Sequence, residues 1–188
     1  MMYLIGGAPR LGKSIIAKKV ALEAGISWLS TDSICAMLRP GKEMRFADVM
    51  HLGTARIVER ELTEAASIAK TLTLFIERHI ESGTDFVLEG VHLLPALFGH
   101  IQKARPAAVK SLFVLSTDEN IVLSGLCADT REENWMSGAS EEMQRAMADF
   151  VVGYSMAIRN LAEKECLSMF ERTADFQKDI ETMMYLLQ

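Results

Sequence analysis

The chain is poor in cysteine and has no long apolar run, and both absences limit the classes of protein to which it can belong. Among its 188 residues are 3 cysteines, Cys35, Cys127 and Cys166, which lie far apart and form no C-x-x-C pair. This spacing predicts neither a disulfide framework nor a zinc site, and favours buried thiols in a reducing compartment. No stretch approaches the roughly 20 apolar residues of a membrane-spanning helix. The first apolar run is too short for a signal peptide, so we expect a cytoplasmic protein.

An excess of positive charge is also missing. The formal net charge is −5, so neither nucleic acid nor a membrane is expected as the main partner. There is no N-K-x-D motif to read guanine and no D-x-x-G switch, which argues against a regulatory GTPase. The hydrophobic fraction of 49% and the charged fraction of 24% are those of an ordinary globular protein. We expect a single α/β domain over residues 1–188, and the sequence leaves its oligomeric state open.

The clearest motif that is present lies close to the N-terminus. Residues Gly7-Ala8-Pro9-Arg10-Leu11-Gly12-Lys13-Ser14 match the phosphate-binding pattern G-x-x-x-x-G-K-[ST]. An apolar run precedes this loop and a helix-like stretch follows it, which is the context the motif requires. Backbone N–H groups of such a loop, and of the helix that it opens, point at phosphate oxygens. We expect Lys13 to reach the β- and γ-phosphates and the Ser14 hydroxyl to bind Mg²⁺.

The rest of the chain alternates between strand-like and helix-like patterns. Strands are predicted at residues 2–5, 26–30, 85–90, 109–115 and 167–170. Helices are predicted at residues 15–24, 34–38, 43–82 with a break near Gly53 or Thr71, 95–103, 140–164 and 176–186. Such alternation implies right-handed crossovers between parallel strands. The sequence therefore predicts a three-layer P-loop NTPase fold, with a mostly parallel five-stranded sheet between helices.

Two acidic residues follow predicted strands, at the edge of the sheet where ligands bind in such folds. Asp32 is placed to accept the proton of an attacking hydroxyl and to orient it, and its alternative role is a helix N-cap. Glu89 closes an apolar run in the manner of a Walker B carboxylate that holds Mg²⁺. Its alternative role is a strand-end acid paired with a basic residue. His92 is either a substrate contact or a structural residue, and no catalytic role is assigned to it.

Phosphoryl transfer also needs cations, and several arginines are candidates. Arg131 lies in a polar stretch before the long helix, where we predict a lid over about residues 129–145. Arg39 and Arg45 follow the Asp32 helix and could hold an anionic substrate through bidentate contacts. Each of these three could equally be a solvated surface residue. Arg10, inside the phosphate loop, is expected to be exposed.

Several motifs together resemble the small-molecule P-loop kinases. They are residues 5–14, Ser30-Thr31-Asp32-Ser33-Ile34 and Leu88-Glu89-Gly90-Val91-His92-Leu93-Leu94-Pro95. The pattern is similar to the kinase domain of 2-phosphoglycerate kinases, and more distantly to zeta-toxin-like and chloramphenicol-phosphotransferase-like kinases. The resemblance implies ATP and Mg²⁺ as cofactors and assigns the hydroxyl-activating acid to Asp32. It also implies that basic residues of the lid and around the second strand face the substrate.

The sequence thus predicts an ATP-dependent kinase that acts on a hydroxyl of a small acceptor molecule, phosphorylated metabolites included. A nucleoside or nucleotide kinase is one alternative. It would need more arginines and a base-stacking aromatic between residues 34 and 60, where Phe46 is the only aromatic residue. A second alternative is a nucleotide-binding regulator with slow ATPase activity and no acceptor.

Overall fold

Five parallel strands form the central sheet. The computed structural model describes residues 1–39, 45–128, 136 and 138–188. Its strands are β1 (Met2–Gly7), β2 (Ser27–Ser30), β3 (Phe86–Glu89), β4 (Val109–Leu115) and β5 (Met169–Glu171). They lie in the order β2-β3-β1-β4-β5, and every neighbouring pair is parallel. The predicted five-stranded sheet is therefore confirmed, and it is parallel throughout.

Helices cover both faces of this sheet. Those in the described residues are α1 (Lys13–Ala24), α2 (Thr31–Leu38), α3 (Phe46–Val49), α4 (Thr54–Glu81), α5 (Pro95–Ala104), α6 (Glu119–Ala128), α7 (Glu141–Lys164) and α8 (Phe176–Leu186). Short 3-10 turns lie at Met50–Leu52 and Pro106–Ala108. α1 contacts α8 beside the sheet, whereas α4, α5 and α7 contact one another. This is the predicted three-layer arrangement.

Local capping explains where several helices begin and end. Gly25 ends α1 in a left-handed conformation, with φ 66°, as its position after a helical pattern predicts. Ser140 begins α7 and accepts a hydrogen bond from the Met143 N–H. The N-cap of α2 is Ser30, whose hydroxyl accepts from the Asp32 N–H at 3.2 Å. The Asp32 side chain is therefore not needed as a cap.

The long helical region breaks at one of the two predicted points. Gly53, with φ 79°, separates a 3-10 turn from α4, and α4 runs through Thr71 without interruption. Its buried residues recur at helical spacing and pack into the core: Ile57, Ala65, Ile68, Leu72 and Ile76. Because its opposite face is polar, this 28-residue helix is not apolar enough to span a bilayer. No other helix within the described residues is long and apolar enough to do so.

The sequence pattern failed to predict α6, and only part of the proposed lid can be compared with the structure. The Asp118 carboxylate accepts from the Asn120 N–H at 2.8 Å and so begins α6. Val122 and Leu126 are the only buried residues of this helix, which leaves a weak periodic signal. Residues 129–135 and 137 of the lid segment, with Arg131 among them, lie outside the described residues. Residues 141–145 belong to the start of α7.

Two glycines allow strand ends to lie unusually close to neighbouring backbone and side chains. A Cβ on Gly7 (φ 116°) would stand 2.0 Å from the Val114 carbonyl oxygen. A Cβ on Gly90 (φ 148°) would stand 1.8 Å from Thr31 Oγ1, and Thr31 is fully buried. These close approaches join β1 to β4 and the end of β3 to the start of α2.

The Gly90 contact makes a testable prediction about stability. Gly90→Ala combines an unfavourable φ with a clash against a side chain that has no room to move, so we expect it to lower the free energy of unfolding by about 2 to 4 kcal/mol. Urea unfolding followed by circular dichroism measures this loss. Gly83→Ala is the matched control, because Gly83 also has a positive φ (67°) but a Cβ there meets nothing within 4 Å. The control should cost only about 1 kcal/mol, and equal losses for the two variants would contradict the packing argument.

Candidate functional site

The ends of three neighbouring strands meet at one edge of the sheet. The parallel register aligns Glu89 of β3 with Ile5 of β1 on one side and with Ser30 of β2 on the other. The segments that follow these strands therefore emerge side by side. A cavity of about 630 Å³ opens at this edge. Its lining includes eight residues that the sequence predicts for the site: Pro9, Arg10, Gly12, Lys13, Ser14, Asp32, Arg39 and Glu89.

The phosphate loop forms a tight turn between β1 and α1. Gly12, with φ 90°, is the N-cap of α1, and the Ile15 and Ile16 N–H groups bond to its carbonyl. The Lys13 ammonium lies over the loop and donates to the Ala8 carbonyl at 2.6 Å. Arg10, expected to be exposed, is half-buried in a left-handed conformation and contributes to the cavity wall. The loop therefore turns its basic side chains, as well as its backbone, towards the cavity.

Ser14 and Glu89 form the oxygen-rich part of the site. The Ser14 hydroxyl donates to Glu89 Oε1 at 2.9 Å, and Glu89 is only 3% exposed. Burial raises the pKa of the Glu89 carboxyl, against the opposing effect of the Lys13 ammonium and the Ser14 hydroxyl. Burial likewise lowers the pKa of Lys13, which the Glu89 carboxylate opposes. A hydroxyl and a carboxylate at contact distance beside a phosphate loop are donors that suit Mg²⁺.

Asp32 stands at the open side of the same cavity. It lies in the first turn of α2, and its side chain is 74% exposed. Its Oδ1 is 3.5 Å from His92 Nδ1. Because Ser30 is the N-cap of α2, the Asp32 carboxylate does not have the alternative role of a helix cap, and it borders the cavity.

His92 is buried beside Asp32 and has polar neighbours at both ring nitrogens. Its Nδ1 lies 3.0 Å from Thr31 Oγ1, and its Nε2 lies 3.4 Å from Cys35 Sγ. Burial lowers the pKa of His92, and the Asp32 carboxylate opposes this shift. An ionised carboxylate can only accept, so Asp32 favours the tautomer with the proton on Nδ1. Burial raises the pKa of the Cys35 thiol to about 11, so this thiol is protonated and can donate to Nε2.

The predicted arginines are not all brought to the cavity. Arg39 lines it and donates to Glu64 Oε1 at 2.9 Å and to the Ser67 hydroxyl. Arg45 precedes α3 on the surface and is not among the described residues that line the cavity. Arg131 lies outside the described residues. The structure therefore positions one of the three cations near the acidic groups, already paired with a carboxylate.

Helices α4 and α7 supply a second wall that the sequence did not predict. The residues that α4 contributes include charged side chains, Arg60, Glu61 and Glu64, whereas α7 contributes Phe150 and Tyr154. The Phe46 ring lies 5.7 Å from that of Phe150 and joins this wall. Nothing in the sequence links these helices to the phosphate loop, because their approach depends on how α4 and α7 pack together.

A buried ion pair contacts the backbone of the phosphate loop. Arg172 Nε donates to Asp179 Oδ2 at 2.8 Å, and Arg172 Nη1 donates to the Leu11 carbonyl at 3.2 Å. The Thr173 hydroxyl also donates to Asp179, at 2.6 Å. This pair was not predicted from the sequence, although Arg172, like Asp32, lies just after the end of a strand.

Comparison with known proteins shows relatives of low similarity and a shared fold. No protein-family model matches the chain. A 2-phosphoglycerate kinase of Methanococcus maripaludis is 28% identical over 145 residues, which are 63% of this chain and 44% of the relative. The chain therefore spans less than half the length of that curated relative.

Solved structures extend the likeness to the whole chain. A shikimate kinase from Bacteroides thetaiotaomicron superposes with a TM-score of 0.51 at 12% identity, covering 100% of this chain and 98% of the other. A deoxyadenosine kinase from M. mycoides gives a TM-score of 0.51 at 12% identity, covering 98% and 97%. At these identities the structural likeness establishes the fold alone. The chain has the α/β fold of the P-loop kinases, and in sequence it resembles 2-phosphoglycerate kinase.

Proposed function

We propose that residues 1–188 act as one ATP-dependent kinase domain, which phosphorylates a hydroxyl of a small molecule. The observation that carries the proposal is the 2.9 Å contact of Ser14 with Glu89 beside the phosphate loop, with Asp32 lining the same cavity. The resemblance to 2-phosphoglycerate kinase supports a small-metabolite acceptor. The cytoplasm is the compartment we propose, on composition alone.

On the nucleotide side, the loop residues Gly7 to Ser14 hold the phosphate groups. Lys13 lies over the loop, within reach of phosphate oxygens, and its ammonium offsets their negative charge. Ser14 and Glu89 are the residues that would hold Mg²⁺. When bound, this ion neutralises charge on the phosphate oxygens as transfer proceeds.

On the acceptor side, Asp32 accepts the proton of the attacking hydroxyl and orients its oxygen. A largely exposed carboxylate that borders the cavity can perform this role without desolvation of a buried charge. Arg39 lines the cavity and can bind an anionic group of the acceptor, provided that it exchanges Glu64 for that group. Arg45 is a weaker candidate for this role, since it lies outside the described lining. For Arg131 we retain the role predicted from the sequence, which is to neutralise charge on the transferred phosphoryl group.

A nucleoside kinase is the second candidate, and the aromatic wall favours it. The sequence offered Phe46 as the only stacking aromatic near the acceptor, and the structure adds Phe150 beside it. Aromatic rings at an acceptor site provide the apolar faces on which a base can stack. Identification of the phosphorylated compound decides between the two candidates.

The proposed kinase activity predicts turnover that an acceptor stimulates. ADP release in the presence of Mg²⁺ and ATP is measured with a panel of glycerate phosphates, sugars and nucleosides. One class of compound should raise the rate at least tenfold over its basal value. Mass spectrometry should show that this compound gains a phosphate. Lys13→Ala should remove the stimulated release, because the ammonium that holds the phosphates is lost. Nucleotide binding with release that no compound changes would instead favour a regulator with slow ATPase activity.

The role of Asp32 as the proposed base predicts a loss of kcat when its carboxylate is replaced. Asp32→Asn should lower kcat for the active acceptor by about 100-fold or more and leave ATP affinity within about twofold, since the amide keeps the shape but cannot accept the proton. Asp149→Asn, which alters an exposed carboxylate of α7 outside the cavity lining, is the matched control and should be neutral. An Asp32→Asn enzyme with full kcat would contradict the assignment of Asp32 as the base.

A further inference from the structure

Three side chains that can ligate a metal ion converge at the acceptor side of the cavity. They are Cys35 of α2, Glu64 of α4 and His92 after β3, and their ligand atoms lie within 4.8 Å of one another. Within residues 1–39, 45–128, 136 and 138–188, no other group of this kind occurs. This group could not be predicted from the sequence, because the three residues are separated by 29 and 28 positions and no short ligand spacing links them.

The distance between the sulfur and the imidazole already suits a tetrahedral metal. Zn²⁺ binds sulfur at about 2.3 Å and imidazole nitrogen at about 2.0 Å, so two such ligands lie about 3.5 Å apart. Cys35 Sγ and His92 Nε2 are 3.4 Å apart. A carboxylate oxygen of Glu64 lies within 4.8 Å of both atoms, so a change in its side-chain conformation would complete three ligands, and the open cavity gives water access to a fourth position.

The surroundings of His92 fix the ring in the orientation that a metal needs. Thr31, which is fully buried against Gly90, and Asp32 both face Nδ1. Partners of this kind on the remote nitrogen of a ligating histidine hold its tautomer and direct the other nitrogen at the metal. Here the other nitrogen, Nε2, faces Cys35 and the cavity.

The local charges balance those of a divalent ion. A Cys35 thiolate, the Glu64 carboxylate and the neighbouring Asp32 carboxylate together contribute three negative charges, and Arg39 contributes one positive charge through its contact with Glu64 Oε1. The charges of Asp32 and Arg39 offset each other, and the two anionic ligands, the Cys35 thiolate and the Glu64 carboxylate, match the charge of one Zn²⁺. Arg39 and the metal compete for Glu64, although the carboxylate has a second oxygen to offer.

We propose that Cys35, Glu64 and His92 form a binding site for Zn²⁺, distinct from the Mg²⁺ position at Ser14 and Glu89. On binding, the Cys35 S–H bond breaks and its proton leaves to solvent, while the sulfur electron pair and the Nε2 lone pair form bonds to the metal. A thiolate and an imidazole select zinc over magnesium, whereas the hydroxyl and carboxylate at Ser14 and Glu89 prefer the harder ion.

Occupancy of this site has a consequence for catalysis, which rests on the proposed kinase function. The metal would lie beside His92, whose other nitrogen faces Asp32, and would fill part of the acceptor side of the cavity. Zn²⁺ therefore inhibits phosphate transfer at concentrations that leave Mg²⁺ at its own position.

Cobalt binding in the absence of nucleotide tests the site independently of any kinase activity. The full chain carrying Cys127→Ser and Cys166→Ser keeps Cys35 as its only thiol. Titration with Co²⁺ should produce a thiolate-to-cobalt charge-transfer band that saturates at one equivalent of metal. Zn²⁺ should then displace the bound Co²⁺ and remove the band. Adding Cys35→Ser should abolish the band and weaken Zn²⁺ binding, measured against a chromophoric chelator, by about 100-fold or more. A band that survives Cys35→Ser, or no band in the parent, overturns the proposal.

A variant that is expected to bind Zn²⁺ more tightly shows that weaker binding in the other variants is not due to loss of folding. Arg39→Ala frees Glu64 from its ion pair, so Zn²⁺ should bind several-fold more tightly, whereas Glu64→Gln should weaken it by about tenfold. Unchanged affinity in both variants would remove Glu64 from the site. Once an acceptor is known, the same Zn²⁺ titration of turnover should inhibit the parent and spare Cys35→Ser. Cobalt binding without such inhibition would leave the metal site standing and overturn only its link to catalysis.

Discussion

The parallel pairing of β3 with β1 on one side and β2 on the other decides where the chemistry of this protein lies. Glu89 stands in register with Ile5 and with Ser30, so the phosphate loop, the Asp32 turn and the Walker-like acid must emerge together. Close packing preserves this alignment, because Gly7 and Gly90 leave no room for a Cβ between the strand ends and their neighbours. Three segments that are distant in sequence thereby form one cavity wall.

The same geometry brings opposite charges into a buried setting. Burial disfavours the charged forms of both Lys13 and Glu89, and each partly stabilises the other. Phosphate groups over the loop and a cation at Ser14 would replace this internal compensation with stronger partners. Arg172, which is paired with Asp179, donates to the Leu11 carbonyl and so links the phosphate loop to the end of β5 and to α8.

Local patterns predicted the strands, the phosphate loop and the acids at the strand ends, because each depends on neighbouring residues or on the rule that strand ends share an edge. The same information could not predict α6, whose two buried residues give little periodicity. It could not predict the wall of Glu61, Phe150 and Tyr154, which depends on the packing of α4 against α7. Nor could it predict the group of Cys35, Glu64 and His92, since short spacing is the only signal of a metal site that a sequence carries.

A crystal structure with a non-hydrolysable ATP analogue and Mn²⁺ in place of Mg²⁺ tests the assignment of this site most directly. Anomalous scattering should place the metal about 2.1 Å from Ser14 Oγ, with Glu89 bound to it directly or through one water molecule. The phosphates should lie over the loop within reach of Lys13, and the γ-phosphate should face Asp32 across the cavity. A nucleotide bound elsewhere, or a metal that contacts neither Ser14 nor Glu89, would contradict the proposed chemistry.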